Sequence, residues 1–163
     1  MSSNSRASAE IRDKSNAVVR PPIAWALAFA SGLAINLLYP LRWIPETWPN
    51  VLMGGILFAT GFALAIWAIV TFRRAGTRVE TTKPTLAIVT HGPYGFTRNP
   101  IYLGMFLGQT GLAIGFDSLW ILATLIPFYL VLRYGVVARE EAYLARKFGG
   151  VYLDYKSRVR RWL

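Results

Sequence analysis

The side chains able to do chemistry in this chain gather in two stretches. One is His91-Gly92-Pro93-Tyr94-Gly95-Phe96-Thr97-Arg98-Asn99-Pro100; the other runs from Arg133 to the adjacent acids Glu140 and Glu141. Arg133 lies seven residues before Glu140, two helical turns back on nearly the same face, so a guanidinium and a carboxylate would line one pocket wall. There the Arg can hold an anionic group while the Glu takes a proton or places charge. The same spacing equally suits an interfacial salt-bridge stripe with a snorkelling Arg. Asn99 followed by Pro100 has the form of an N-cap and first helical residue, whose positive helix end can hold a carboxylate or phosphate. An ordinary helix start that binds only water has the same two residues.

The inventory excludes several chemistries. With no Cys, disulfides, thiolate nucleophiles, thiolate zinc sites and iron-sulfur clusters are ruled out together. A single histidine, His91, rules out multi-His metal centres and argues against a His-dependent triad. Any chemistry must therefore run without a protein-bound metal.

The elements that position these stretches are apolar. Hydrophobic residues make up 54% of the 163 and charged ones 16%, an imbalance that points to lipid. Ile23 to Leu41 holds nineteen residues without a formal charge, and Val51 to Phe72 twenty-two; about 20 suffice to cross a bilayer core. Ile101 to Phe116 has only sixteen residues and includes Gln109 and Thr110, too short to cross without local thinning or burial at one end. Leu119 to Val137 is apolar except for Arg133 and is interrupted by Pro127, which predicts a kink. The chain length fits one domain. The expected fold is all-α: a multi-span integral membrane protein with about four transmembrane helices plus C-terminal interfacial helices. Residues 23–163 form that domain, and residues 1–22, polar and without apolar period, read as a disordered cytoplasmic tail. A signal peptide is disfavoured, because twenty-two polar residues precede the first span and no small-residue cleavage site follows.

The net charge of +10 resolves once its position is known. Four basic residues precede the first span, Arg42 lies between spans one and two, five fall between Arg73 and Arg98, and eight lie from Arg133 to Arg161. If all four segments cross, seventeen of eighteen land on one side, the positive-inside pattern with both termini cytoplasmic. Topology thus accounts for the charge, and no nucleic-acid partner is expected. Spans one to three hold no Asp, Glu, Lys, Arg or His, which excludes ion-coupled exchange and intramembrane proteolysis through a paired-Asp site. Gly104, Gly108, Gly111 and Gly115 read first as a close helix-packing surface and second as a flat face for a cofactor or lipid. After Gly149 a helical period of Val151, Tyr152, Tyr155, Val159 and Trp162, interleaved with basic residues, predicts a tail lying on the anionic leaflet.

Gly92-Pro93-Tyr94, then Arg98-Asn99-Pro100-Ile101-Tyr102-Leu103-Gly104, then Glu140-Glu141-x-x-Leu144, Phe148-Gly149, Tyr152-x-x-Tyr155 and Arg158-Val159 follow in order over roughly residues 70 to 163. This pattern resembles the isoprenylcysteine carboxyl methyltransferase family and the related phospholipid methyltransferases. The resemblance implies a membrane-embedded enzyme that uses S-adenosyl-L-methionine outside a Rossmann fold. It would transfer a methyl group to a lipid-like or prenylated acceptor, a carboxylate or an amine, at the cytoplasmic membrane face. The cofactor-site blocks would be residues 86–104 and 133–161. The family's cofactor-contacting stretch falls on Leu86, Ala87, Ile88 and Val89, its aromatic contact on Tyr94, and its Arg-His-Pro-x-Tyr block on Arg98, Asn99, Pro100, Ile101 and Tyr102.

Its acidic pair falls on Glu140 and Glu141, with Glu140 nearest the substrate side. A basic residue just upstream in the family falls on Val136, so Arg133 or Arg139 would stand in. The implied catalytic residues are Glu140, Arg98 and Arg133; the others named, with Glu141, are implied to bind the cofactor. Asn99 replaces the histidine of the eukaryotic pattern, so no titrating role is possible there, and Arg160 stands where those proteins carry Pro. The alternatives are a non-catalytic membrane scaffold or binding protein and an NADPH-dependent reductase of related architecture.

Overall fold

The computed structural model describes residues 17–77 and 84–163. Helix α1 spans Pro21–Leu38 and α2 spans Asn50–Arg74; a 3-10 turn, Gly92–Gly95, precedes α3 at Pro100–Gly115. Helix α4, Leu119–Phe148, and α5, Gly150–Arg158, complete the described chain. Of these, α1, α2 and α4 are long and apolar enough to cross a membrane, and α3 at 16 residues is the short one, as its sequence predicts. Residues such as Leu27, Ile56, Phe62 and Ile126 point outward from these helices, a surface suited to lipid rather than water. The part of the predicted tail formed by residues 1–16 lies outside the described residues. From Ala17 onward the chain runs onto α4, where Val18 N–H donates to the Gly135 carbonyl at 3.0 Å.

Local chemistry sets the helix ends. Pro21 and Pro22 open α1, where a missing N–H costs nothing. Ser118 caps α4 by accepting from the Ile121 N–H at 3.2 Å. Just before it Asp117, at φ 47°, accepts from the Trp43 and Ile44 N–H groups at 3.0 and 2.9 Å and ties the two loops at that end together. Pro127 interrupts α4 as expected: it supplies no donor to the Ala123 carbonyl four residues back, and the regular helix breaks at Thr124. Farther along, Val131–Val137 winds as a π-helix before α-helical geometry resumes at Ala138–Phe148. Gly149, at φ 52°, turns the chain sharply from α4 into α5.

Glycine decides how α2 and α3 meet. The two run antiparallel, with Gly61 opposite Gly104 and Gly108 and with Gly54 opposite Gly111 and Gly115. A Cβ added at Gly61 would fall 2.6 Å from the Gly104 carbonyl oxygen, and one at Gly111 would fall 2.5 Å from the Phe58 nitrogen. The helix-packing reading of the α3 glycines therefore holds, because α2 fills the face at Gly104 and Gly111. Ile101 at the start of α3 packs beside Ala68, so the last turns of α2 extend past α3 and are covered instead by Val89 and Tyr94. Across the bundle, α1 runs antiparallel to α4, with Gly32 against Ile121. Tyr102, Phe128, Leu132, Val136 and Val137 form the core between α3 and α4.

The tail departs from its predicted period. Helix α5 stops at Arg158, and Val159 adopts an extended backbone with φ −116° and ψ 131°. Tyr152 and Tyr155 face into the protein and are buried, and Trp162 packs against the α3–α4 core. Periodicity failed here because backbone acceptors at Arg160 and Arg161 are taken by residues far away in sequence, which outweighs one more helical turn.

Candidate functional site

The first stretch is shaped by the overhang of α2. Pro93 and Tyr94 are buried in the 3-10 turn, and the Tyr94 ring lies 5.0 Å from that of Phe72. Burial holds the Tyr94 hydroxyl well above the usual phenol range, with Tyr155 and Glu140 adding to the effect, so it stays a neutral donor. Val89 is buried beside it, Ala87 and Ile88 are half-buried, and Leu86 is exposed. The main chain of this segment is anchored from outside: Leu86 N–H donates to Thr77 Oγ1 at 3.0 Å and Thr85 N–H to Tyr143 Oη at 3.2 Å.

The end of the stretch is held by the tail. Arg98 N–H donates to the Arg160 carbonyl at 3.0 Å, while Thr97 Oγ1 and Asn99 Nδ2 both donate to the Arg161 carbonyl, at 3.2 and 2.9 Å. Asn99 occupies the N-cap position ahead of Pro100 as its sequence predicts, yet its side chain caps nothing and is used as a donor. Tyr155 Oη donates to the Tyr94 carbonyl at 2.8 Å. Residues 159–162 thus form a strap under the N-terminus of α3, fastened at each residue from Thr97 to Asn99.

The second stretch supplies two carboxylates with different tasks. Adjacent residues on a helix diverge by about 100°, so Glu140 and Glu141 look at different walls. Glu141 takes two hydrogen bonds from Arg161, at 2.7 and 2.6 Å, and lies 3.3 Å from Arg98 Nη2. Glu140 accepts from Tyr102 Oη, at 3.0 Å to one oxygen and 3.3 Å to the other. Around the Glu141 pair, burial and the neighbouring negative charge push the Tyr152 hydroxyl up to about 12, and burial raises Tyr155 as well. The hydrogen bond from Arg161 to Glu141 raises that guanidinium further and keeps it charged.

Arg98 is the unsatisfied member. Its side chain is 9% exposed; Nη2 contacts Glu141 and the Tyr152 hydroxyl is a further neighbour, yet Nε and Nη1 are buried without an acceptor among the described residues. A guanidinium presents a planar fork of donors that matches a carboxylate or phosphate. Two donors left open in a buried guanidinium are what an anionic ligand group would fill.

Of the residues singled out by sequence, the fold brings Tyr94, Arg98, Asn99, Tyr102, Glu140 and Glu141 together, with Pro100 and Ile101 forming the α3 start between them. Arg133 is placed differently: its guanidinium lies 5.3 Å from the centre of the exposed Tyr134 ring, inside the π-helical section. Arg139 is exposed, and so is His91. Sequence reasoning placed Thr97 and Arg161 within its two blocks but gave them no role, and it left Trp162 outside both. The one available signal was the spacing Tyr152-x-x-Tyr155 ahead of a basic run, which also fits a membrane-lying helix.

A family model described as phospholipid methyltransferase matches residues 49–150, from the start of α2 through the end of α4. An uncharacterized protein of Haemophilus influenzae is 55% identical over 38 residues, covering 23% of this chain and 60% of that protein. The chain thus spans under two thirds of the length of the curated relative it matches. No solved structure matches the chain.

Proposed function

Because the chain belongs to the phospholipid methyltransferase family, we propose that it transfers a methyl group from S-adenosyl-L-methionine to a lipid-like or prenylated acceptor at the cytoplasmic face of a membrane. The observation that carries this reading is the meeting of both stretches, where Glu140 accepts from Tyr102 at the edge of the apolar core and Arg98, beside Glu141, has two buried donors without an acceptor among the described residues. That donor set fits the cofactor, since its amino-acid carboxylate matches the open fork of Arg98. Tyr94 and the backbone from Leu86 to Val89 lie on the same side and would hold the rest of it. When bound, the cofactor would supply the methyl group as an electrophilic carbon on a sulfonium, leaving a neutral thioether once the carbon–sulfur bond breaks.

What this chain's own residues do is align, exclude water and place charge. Glu141, gripped by Arg161 and Arg98, is a positioning residue that fixes the guanidinium of Arg98 and locks the strap. Tyr102 fixes the rotamer of Glu140. For an amine acceptor, the Glu140 carboxylate takes the proton that must leave before the nitrogen lone pair can attack the methyl carbon. For a carboxylate acceptor no proton moves, and Glu140 acts on the cationic donor through its charge. Arg133, the third residue of the predicted catalytic set, stands beside the exposed Tyr134 ring.

The test is calorimetric titration of the purified protein in detergent with the cofactor, alongside labelled-methyl incorporation in membranes. Binding at micromolar to millimolar cofactor plus label in the lipid fraction supports the reading. Binding of NADPH instead would move it to the reductases, and binding of neither would leave a scaffold. Base-labile label marks a methyl ester and stable label a methylamine, which identifies the acceptor class.

A further inference from the structure

Trp162 occupies a place that its own chemistry does not suit. The indole lies edge-on to Phe106 of α3, centroids 5.8 Å apart, and 5.9 Å from Tyr129 of α4. Its neighbours belong to the apolar cluster of Tyr102, Phe128, Leu132 and Val136. Yet Trp162 Nε1 is buried with no acceptor among the described residues. Burying an N–H without a partner forfeits its hydrogen bond to water, so this seat holds an indole less well than it would hold a purely hydrocarbon group. Tyr129, which borders the seat, is itself 39% exposed on the outer surface of α4.

The seat is continuous with the reaction site. Phe106 lies one turn beyond Tyr102 on the same face of α3, deeper along the helix. Phe128, Leu132 and Val136 line α4 at four-residue steps leading to Glu140. A linear molecule with its polar end at Glu140 would therefore lay its next methylenes where the indole now sits. The strap keeps its register without the indole: the carbonyls of Arg160 and Arg161 and the Arg161 guanidinium are each held independently by Arg98, Asn99, Thr97 and Glu141.

We infer that the Phe106–Tyr129 seat is the binding site for the acceptor's hydrocarbon tail, and that Trp162 stands in for that tail until an acceptor entering from the bilayer displaces it. The seat would take an acyl or isoprenoid chain. Displacement of Trp162 lowers the acceptor's apparent affinity by the fraction of time the seat is free. The inference rests on the methyl-transfer reading for what happens at the polar end; occupancy of the seat by a hydrocarbon chain does not depend on it.

The experiment uses full-length protein in vesicles of phosphatidylethanolamine and phosphatidylglycerol, doped with a phosphatidylethanolamine whose acyl chain carries a photoreactive diazirine. Trp162→Ala should raise crosslinking to the α3 and α4 peptides containing Phe106 and Tyr129 several-fold. Trp162→Phe, which keeps an apolar ring and removes the unpaired donor, should crosslink no more than the unsubstituted protein. A thermal melt unchanged by either substitution shows that the strap is intact. Crosslinking at these peptides that is unaffected by Trp162→Ala, or raised equally by both substitutions, overturns the inference. Crosslinking that follows the expected pattern while no vesicle composition gives methyl transfer upholds the seat and sinks the activity; methyl transfer without crosslinking at the seat does the reverse.

Discussion

Tyr102 donates to Glu140 across the gap between α3 and α4, 3.0 Å from one carboxylate oxygen. Residues 38 positions apart are thereby coupled at the level where the apolar core gives way to the polar strap. This bond places the one acid that faces the core and leaves its neighbour Glu141 to the ion-pair network.

Glu140→Gln should lower methyl transfer at least tenfold, on the order of 1.4 kcal/mol or more in the barrier, with cofactor affinity little changed. The check is labelled-methyl incorporation beside calorimetric titration of the same preparation. Unchanged turnover removes Glu140 from the mechanism.

Tyr102→Phe keeps the packing of a buried ring and deletes the donor to Glu140. The expected effect is a smaller loss of turnover than for Glu140→Gln, because the acid is still present but less well placed. In the double variant the two losses should fall short of additive, the mark of residues acting as a unit.

Glu141→Gln should act on stability. It leaves Arg98, 9% exposed, without its counter-charge and loosens Arg161, for a cost of about 3 kcal/mol. A lowered melting temperature in detergent, together with faster proteolysis of the strap, is the expected outcome; a melt like that of the unsubstituted protein would show that the pair holds nothing together.

Gly61→Ala should destabilise the protein by about 2 kcal/mol, since the new methyl group meets α3 backbone that cannot yield without separating the helices. Gly55→Ala is its control: nothing lies within 4 Å of a Cβ there, and the exchange of Gly for Ala in a helix is favourable by up to about 1 kcal/mol. Thermal melts of the two variants side by side should move in opposite directions.

Alkaline pH should loosen the strap end. The Tyr152 hydroxyl is pushed up to about 12 in the folded protein, from 10.0 for an ordinary tyrosine. Below the lower value both states keep the proton and stability is complete. Between the two, the unfolded chain ionises first, so stability falls as pH rises. Melting temperature should therefore drop over that window, and Tyr152→Phe should flatten the decline. A decline of the same size in the variant would place its origin elsewhere.

The spans were legible because a bilayer demands a long uncharged run, and α1, α2 and α4 supply one. Glycines at α3 positions 104, 108 and 111 announced a close neighbour, although nothing in their spacing named α2 as that neighbour. The pairing of Arg133 with Glu140 rested on α-helical turns. Between them Val131–Val137 winds as a π-helix, which takes an extra residue per turn and rotates the two residues out of register. The acid next door found Arg98 and Arg161 instead, partners 43 and 20 positions away, set by the tertiary fold and invisible to local periodicity. The strap was hidden for the same reason: Val159 and Trp162 keep a helical period, and only the distant donors of Thr97, Arg98 and Asn99 draw them into an extended path.

The stagger between α2 and α3 has a thermodynamic meaning for any lipid handled here. Pulling a long-chain molecule out of a leaflet costs about 0.8 kcal/mol for each methylene exposed to water, a prohibitive sum over a whole chain. On the proposed reading, a third helix that starts partway along its neighbour would leave a notch in the bilayer edge, where water-borne reactants descend to the headgroup and the greasy partner never has to climb.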